Sequence, residues 1–316
     1  MGVLRCFILG GLVLVPTSGF GASLADPVAL LTEIRPGQGE VRVKLSTETD
    51  WKAPLPLLSL RQGDQVRVTQ NARAVLAFVG GQGPLTIVAA DSPYTVQGKA
   101  GGTSQGKTPE LLTTLTRILM GKKKDLAYPP LTTRSLKRPP VILSPRDGKL
   151  LGRLVLEWTG SDRARYAVRL FGSQGLVWEA ANLPQAPLPY PSSAPPLSPG
   201  VNYRWELETK DFSVQRGQFS VLSPTESAAI QGTLSALEPG SLPGYPSNTV
   251  TLMRAGFLFE QELYAEARKE LLAALRAGPD EPSLHLMLGH VYERTGLAAL
   301  AAEEFDEAQY LSSRTP

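Results

Sequence analysis

Between residues 60 and 78 apolar side chains recur at every second position: Val66 and Val68, then Ala72, Ala74, Leu76 and Phe78, with Arg and Gln among the residues between. An extended strand alternates its side chains between two faces and needs that period. A helix would scatter the same residues around its surface. Gly63-Asp64 supplies a tight turn before the first run, and Gln70-Asn71 turns the chain into the second. Gly80-Gly81-Gln82-Gly83-Pro84 closes the stretch, and a third apolar run, Leu85-Thr86-Ile87-Val88, follows. The expectation is an antiparallel β-meander with one buried face.

Several short motifs surround this stretch in a fixed order: Gly39-x-Val41-x-Val43, Trp51, Leu60-x-x-Gly63-Asp64-x-Val66, and Ala72-x-Ala74-x-Leu76-x-Phe78-x-Gly80. Their succession resembles the periplasmic domain of the FecR family, the ferric-citrate sensor and anti-sigma regulator type, over residues 30–97. The resemblance implies a β platform that senses or docks a ligand or partner. Gly80-Gly81 stands where the family usually has Asp-Gly. A true anti-sigma protein carries a cytoplasmic domain ahead of a membrane span, for which this chain has no room, so sigma-factor control is not carried over.

The formal charge of +3 over 316 residues is too small to argue for nucleic acid or an anionic membrane surface. The segment from Met1 to Ala25 reads as an export signal. Arg5 precedes an apolar run from Phe7 to Val15, and Ser23-Leu24-Ala25 stands before Asp26-Pro27 as an A-x-A-like cleavage site. The apolar run falls short of the roughly 20 residues that span a bilayer, with an uncleaved anchor as the alternative. An exported, periplasmic location follows, with no later segment of transmembrane length. The one cysteine, Cys6, lies inside the signal, which leaves no thiol for disulfides, thiol catalysis or Cys-ligated metal.

Residues 98–138 read as a helix and linker. The helix runs from Pro109 to Met120, with Leu111, Leu112, Leu115, Ile118 and Leu119 on one stripe, Thr108 as N-cap, Pro109 at the first position and Gly121 as stop. Lys122-Lys123-Lys124 complements its C-terminus as a solvated cap. From 139 to 223 the pattern is β again: Leu154-Val-Leu156-Glu-Trp158, Tyr166-Ala-Val168-Arg-Leu170 and Val201-Asn-Tyr203-Arg-Trp205-Glu-Leu207, with a Pro-rich crossover from Leu183 to Pro199. Short strands with these turn signals suggest a β-sandwich. Leu156-x-Trp158, Tyr166-x-Val168-x-Leu170 and Leu197-Ser-Pro-Gly200-x-x-Tyr203-x-Trp205 resemble fibronectin type III and related Ig-like domains, with Trp158 and Trp205 expected in the core.

A further helix is expected from Thr225 to Leu237, and the C-terminal segment repeats itself. Ala255 and Gly289, Leu258 and Tyr292, Ala267 and Ala301, Leu271 and Phe305, and Ala274 and Ala308 are all separated by one constant step. That step is the period of the tetratricopeptide repeat, about 34 residues. Leu288-Gly289-x-x-Tyr292 with Ala301-x-x-x-Phe305-x-x-Ala308 resembles the consensus of that repeat, and Pro279 falls where the first repeat's second helix should end. Two repeats are fewer than the usual three, so the preceding helix or a partner would complete the stack. The fold class expected is multidomain β plus α: a FecR-like module (26–97), a fibronectin-III-like sandwich (139–223), and a helix with a repeat pair (224–316).

One motif carries a chemical suggestion. Gly101-Gly-Thr-Ser-Gln-Gly106-Lys107-Thr108 fits the pattern G-x-x-x-x-G-K-[ST], in which main-chain amides cradle phosphates, Lys neutralises charge and Thr holds Mg²⁺. Its surroundings read as antiparallel β, with no apolar strand ending in Asp behind it, so a Gly-rich connector is the preferred reading. His285 and His290 are the only histidines. They lie five apart, which misses the i, i+4 spacing of a shared metal. No catalytic constellation, metal site or cofactor is expected. The functional expectation is a non-catalytic scaffold or sensor of the bacterial envelope. Phe257, Gln261, His285 and Glu293 would line or border a helical groove for an envelope protein or peptide segment. A peptidoglycan binder is the alternative, a nucleotide-binding protein the second, and homodimerisation through the short repeat stack stays open.

Overall fold

The structure is a computed structural model that describes residues 26–98, 107–120, 139–238 and 240–313. The export signal with Cys6, and the lysine run Lys122-Lys123-Lys124, lie outside the described residues. The first part holds seven strands: β1 (Ala29–Arg35), β2 (Val41–Lys44), β3 (Ser59–Leu60), β4 (Gln65–Val68), β5 (Arg73–Phe78), β6 (Pro84–Ile87) and β7 (Tyr94–Thr95). They form two sheets, in the orders β3-β1-β5-β6 and β2-β4-β7. The alternation of the sequence is present, but the meander is not. β4 and β5 lie in different sheets, because the turn at Gln70, whose φ is 47°, carries the chain across rather than folding it back. Gly63-Asp64 makes its turn through a buried carboxylate: Asp64 accepts the main-chain N–H of Ser46 at 2.7 Å and of Arg61 at 2.8 Å. At Gly39 the chain passes so close to Thr69 that a Cβ would overlap the Thr69 carbonyl.

Val41, Val43, Val66, Val68, Ala74, Leu76, Phe78 and Ile87 fill the space between these two sheets. The expectation of one buried face fails for the central pair. Every residue of β1 except Arg35 is buried, as is every residue of β5 except Arg73. Leu30 and Ala77, which pair across β1 and β5, point away from this core and join a second one built mostly by helices. A sheet covered on both sides reads as a continuous apolar run, and residues 74–78 are such a run.

The cover comes from α1 (Lys107–Met120) and the C-terminal helices. The helix α1 begins two residues earlier than expected, so Thr108 lies inside its first turn rather than capping it. Pro109 is still tolerated there, since first-turn N–H groups have no intrahelical partner. Leu111, Leu112 and Leu115 are buried in the helical core.

Eight strands follow: β8 (Val141–Ser144), β9 (Gly148–Leu150), β10 (Val155–Thr159), β11 (Tyr166–Gly172), β12 (Gly175–Leu183), β13 (Leu188–Pro189), β14 (Asn202–Thr209) and β15 (Phe212–Val221). One sheet is ordered β13-β10-β8 and the other β12-β11-β14-β15-β9, the β15–β9 pairing being parallel. Ile142, Leu156, Trp158, Val168, Leu170, Trp205 and Leu207 share one buried cluster. Trp205 donates its indole N–H to the Pro145 carbonyl at 3.0 Å. Gly217 stands beside it, where a Cβ would lie 2.5 Å from the indole nitrogen.

The chain continues into α2 (Pro224–Ala236), α3 (Ser247–Glu260), α4 (Tyr264–Ala277), α5 (Pro282–Arg294) and α6 (Ala298–Ser313). Ser223 and Glu226 form a reciprocal capping box that starts α2. α3–α4 and α5–α6 are helix pairs, and Gly278-Pro279 ends the first pair. Small residues at the repeat spacing let the helices approach: Ala255, Ala267 and Ala301 have no exposed surface, and a Cβ at Gly289 would overlap the Phe305 ring. The architecture is therefore mixed β and α, with the helix pairs touching both β parts. Among the described residues no helix is long and apolar enough to cross a membrane.

Candidate functional site

The junction between the first β part and the helices starts from an irregularity in β1. The β1–β5 register shifts between Leu31 and Glu33, a bulge that turns both Thr32 and Glu33 toward the helices. Thr32 and Thr249 of α3 share a hydroxyl–hydroxyl hydrogen bond of 2.9 Å, and the Thr249 hydroxyl also donates to Glu33 at 3.4 Å. Glu281, the residue before α5, reaches across instead of capping its own helix, and its Oε1 accepts the Ile34 N–H at 3.3 Å. Glu33 and Glu281 are thus two buried carboxyl groups at one seam. Arg35 bridges them, its Nε 3.6 Å from Glu33 and 3.5 Å from Glu281, and Arg73 stands 3.7 Å from Glu33.

Donors do not match acceptors there. Glu33 Oε2, Glu281 Oε2, Ser283 Oγ and Arg73 Nε are all buried without a hydrogen bond, and buried polar atoms normally have one. Burial, helped by the nearby Glu33 charge, pushes the Glu281 carboxyl up to about 8. A cavity of about 470 Å³ opens beside it, walled by Arg35, Gly37, Pro279, Asp280, Glu281 and Leu311.

The sandwich docks on the same helices by main-chain contacts. Lys149 N–H donates to the Glu262 carbonyl at 2.8 Å, and a Cβ at Gly148 would lie 2.5 Å from that same oxygen. Leu151 N–H donates to Glu266 Oε1 at 3.0 Å, while Glu266 Oε2 is sealed from solvent without a hydrogen bond. Burial pushes the Glu266 carboxyl up to about 7, against the opposing pull of the Leu151 N–H. Arg268 of α4 pairs with Glu157 of β10, and Arg146 donates to the Thr295 carbonyl at 2.6 Å.

α1 lies along α3. A Cβ at Gly256 would come within 2.6 Å of Leu115. Thr114 donates to Glu260 at 3.1 Å, and Arg117 pairs with the same carboxylate. The side of α3 that carries Gly256 and Glu260 is covered by α1.

The expected groove residues do not converge. Phe257 packs partly buried against the helical core, and Gln261 is the C-cap of α3. His285 turns toward α6: its Nδ1 is 2.7 Å from Glu304 and its Nε2 is 2.8 Å from the Pro279 carbonyl. Acceptors on both sides fit the charged imidazolium. Burial opposes that charge, but the Glu304 and Pro279 hydrogen bonds outweigh it and raise the His285 pKa. Glu293 lies 3.3 Å from His290 near the end of α5. Gly101 and Gly106 lie outside the described residues; Lys107 and Thr108 open α1.

A second hollow of about 870 Å³ crosses the outer face of the sandwich, lined by Asp147, Lys149, Phe171, Asn202, Arg204 and Gln218. Arg204 lies over the Phe171 ring, 4.8 Å from its centre. Among the described residues no group of three or more His, Cys, Asp or Glu side chains could hold a metal.

No family model matches this chain, and neither does any curated protein. The carboxyl groups of Glu33, Glu266 and Glu281 escape a reading of sequence motifs. The one available signal is Glu33 itself, a lone carboxylate inside the apolar segment 28–34, since carboxylates are seldom buried unpaired.

Proposed function

We propose that this chain is an exported, non-catalytic scaffold of the bacterial envelope. In this reading it is built from a FecR-like platform, a fibronectin-III-like sandwich and a pair of tetratricopeptide-like repeats that hold the other two together. The observation carrying it is the cover on α3: α1 and β1 occupy the face that an isolated repeat would offer to a peptide. The repeats are then an internal hub, and partner recognition falls to the β surfaces. The sandwich hollow is the surface we favour. Its lining of Asp, Lys, Asn, Arg and Gln around the aromatic rings of Phe171, Tyr203 and Phe219 suits a polar segment of an envelope protein. That same combination supports peptidoglycan as a second reading, because amides and charged groups set among aromatic rings also suit a sugar.

Crosslinking pull-downs from envelope fractions test this with three full-length chains: unaltered, Arg204→Glu and Glu293→Lys. A protein partner lost with Arg204→Glu and kept with Glu293→Lys supports the reading. The reverse pattern returns recognition to the helical pairs. Recovery of insoluble peptidoglycan alone, lost with Arg204→Glu, favours the glycan binder.

A further inference from the structure

Two glutamates of the helical pairs share one arrangement at two separate junctions. Glu281 accepts a main-chain N–H from β1 with one oxygen, and Glu266 accepts one from the turn after β9. In both, the second oxygen is buried without a hydrogen bond. A carboxylate there is a buried charge whose second oxygen lacks a hydrogen bond, offset at Glu281 only by the half-exposed Arg35, 3.5 Å away. A protonated carboxyl keeps the acceptor oxygen and removes the charge.

We propose that Glu281 and Glu266 are proton-operated latches, each holding one β part against the helices while its carboxyl is protonated and loosening that junction when the proton leaves.

The surroundings favour the neutral form without forbidding the charged one. Around Glu281 stand Glu33 and Arg35 from β1, Arg73 from β5, Thr249 from α3, Ser283 from α5 and Asp280 from its own turn. Both arginines are nearly half exposed, so their charges are shared with water while the two carboxyls are not. A proton on Glu281 spares the seam a second buried negative charge beside Glu33. Lys269 acts on Glu266 from its own helix, and the Lys149–Glu262 ion pair of 3.6 Å ties β9 to the turn before α4. Water reaching either second oxygen would solvate the carboxylate, and the junction must open to admit it. The cavity beside Glu281 is the route at that seam.

The direction follows from linkage. Each folded-state pKa is raised above the ordinary carboxyl value, so the stabilisation is fully present below about 4.5. It is lost as pH rises through about 7 for Glu266 and about 8 for Glu281. Both junctions weaken as pH rises above about 4.5, and the loss is complete at the sandwich junction first.

Hydrogen exchange of the whole chain tests this at two amides, Leu151 and Ile34, from about pH 4 to about pH 9, corrected for intrinsic exchange. Protection at Leu151 should fall by up to about tenfold per pH unit above about pH 4.5 and level off near pH 7, whereas protection at Ile34 should go on falling to about pH 8. Glu266→Gln should abolish the fall at Leu151 alone, and Glu281→Gln the fall at Ile34 alone, because Gln keeps the acceptor but cannot ionise. Flat protection in the unaltered chain, or an unchanged fall in the Gln variants, overturns the proposal. Should a variant not fold, infrared titration of the unaltered chain with labelled glutamate decides. Two carboxyl bands persisting above about pH 6 support the latches, and complete ionisation below that pH refutes them.

Discussion

The two helix pairs carry equivalent faces, and the chain treats them differently. At the N-terminal end both are covered: Thr249 and its repeat equivalent Ser283 are buried beneath β1. Farther along they part. In the first pair Leu252 and Gly256 are buried, and Glu260 is engaged by α1. In the second the equivalents Leu286 and His290 are only partly buried, and Arg294 is exposed. Besides Glu260, which draws Thr114 and Arg117 where the second pair has Arg294, one position decides the difference. Glycine at 256 lets Leu115 come to the helix surface, and histidine at 290 leaves no such room. Two copies of one repeat thus diverge into a half that binds its own chain and a half whose end stays open to solvent.

Three kinds of substitution would break or sharpen that contrast. Gly256→His gives the first pair the residue of the second and should evict α1. The cost expected is about 4 kcal/mol, as overpacking plus loss of a leucine-lined contact, read by thermal melting and by new proteolysis within α1. Ala267→Leu and Ala301→Leu probe what the pairs still share. Both alanines are fully buried, so each variant should lose about 2 kcal/mol by overpacking. Loss in one only, measured by denaturant unfolding, would mean the pairs are not packed alike. Glu293→Ala lies on the open end and should change stability by no more than about 0.5 kcal/mol; a larger drop in melting temperature would show that this face is covered too.

Much of the fold is legible in the chain. Period-two alternation marks β4, β5, β10, β11 and β14, and the C-terminal repetition marks four helices and the small residues between them. Pairing is what the chain conceals. The turn at Gln70 looks like a hairpin, yet a single left-handed residue sends β5 into another sheet. The cover on β1 and β5 depends on Thr249 and Glu281, which lie in helical segments far along the chain, and only the unbroken apolar run 74–78 hints at it.

The functional reading divides the same way. Phe257, Gln261, His285 and Glu293 are what a helical pair standing alone would present, whereas tertiary packing draws His285 inward and puts α1 on α3. Glu33 and Glu281 come from distant parts of the chain and carry no motif. Local sequence thus determined which segments are strand or helix, because backbone geometry responds to periods of two and 3.6. Only the tertiary structure decided which faces are covered and which carboxyls are buried. Burial is a property of whatever segment arrives on top, and no residue encodes that by itself.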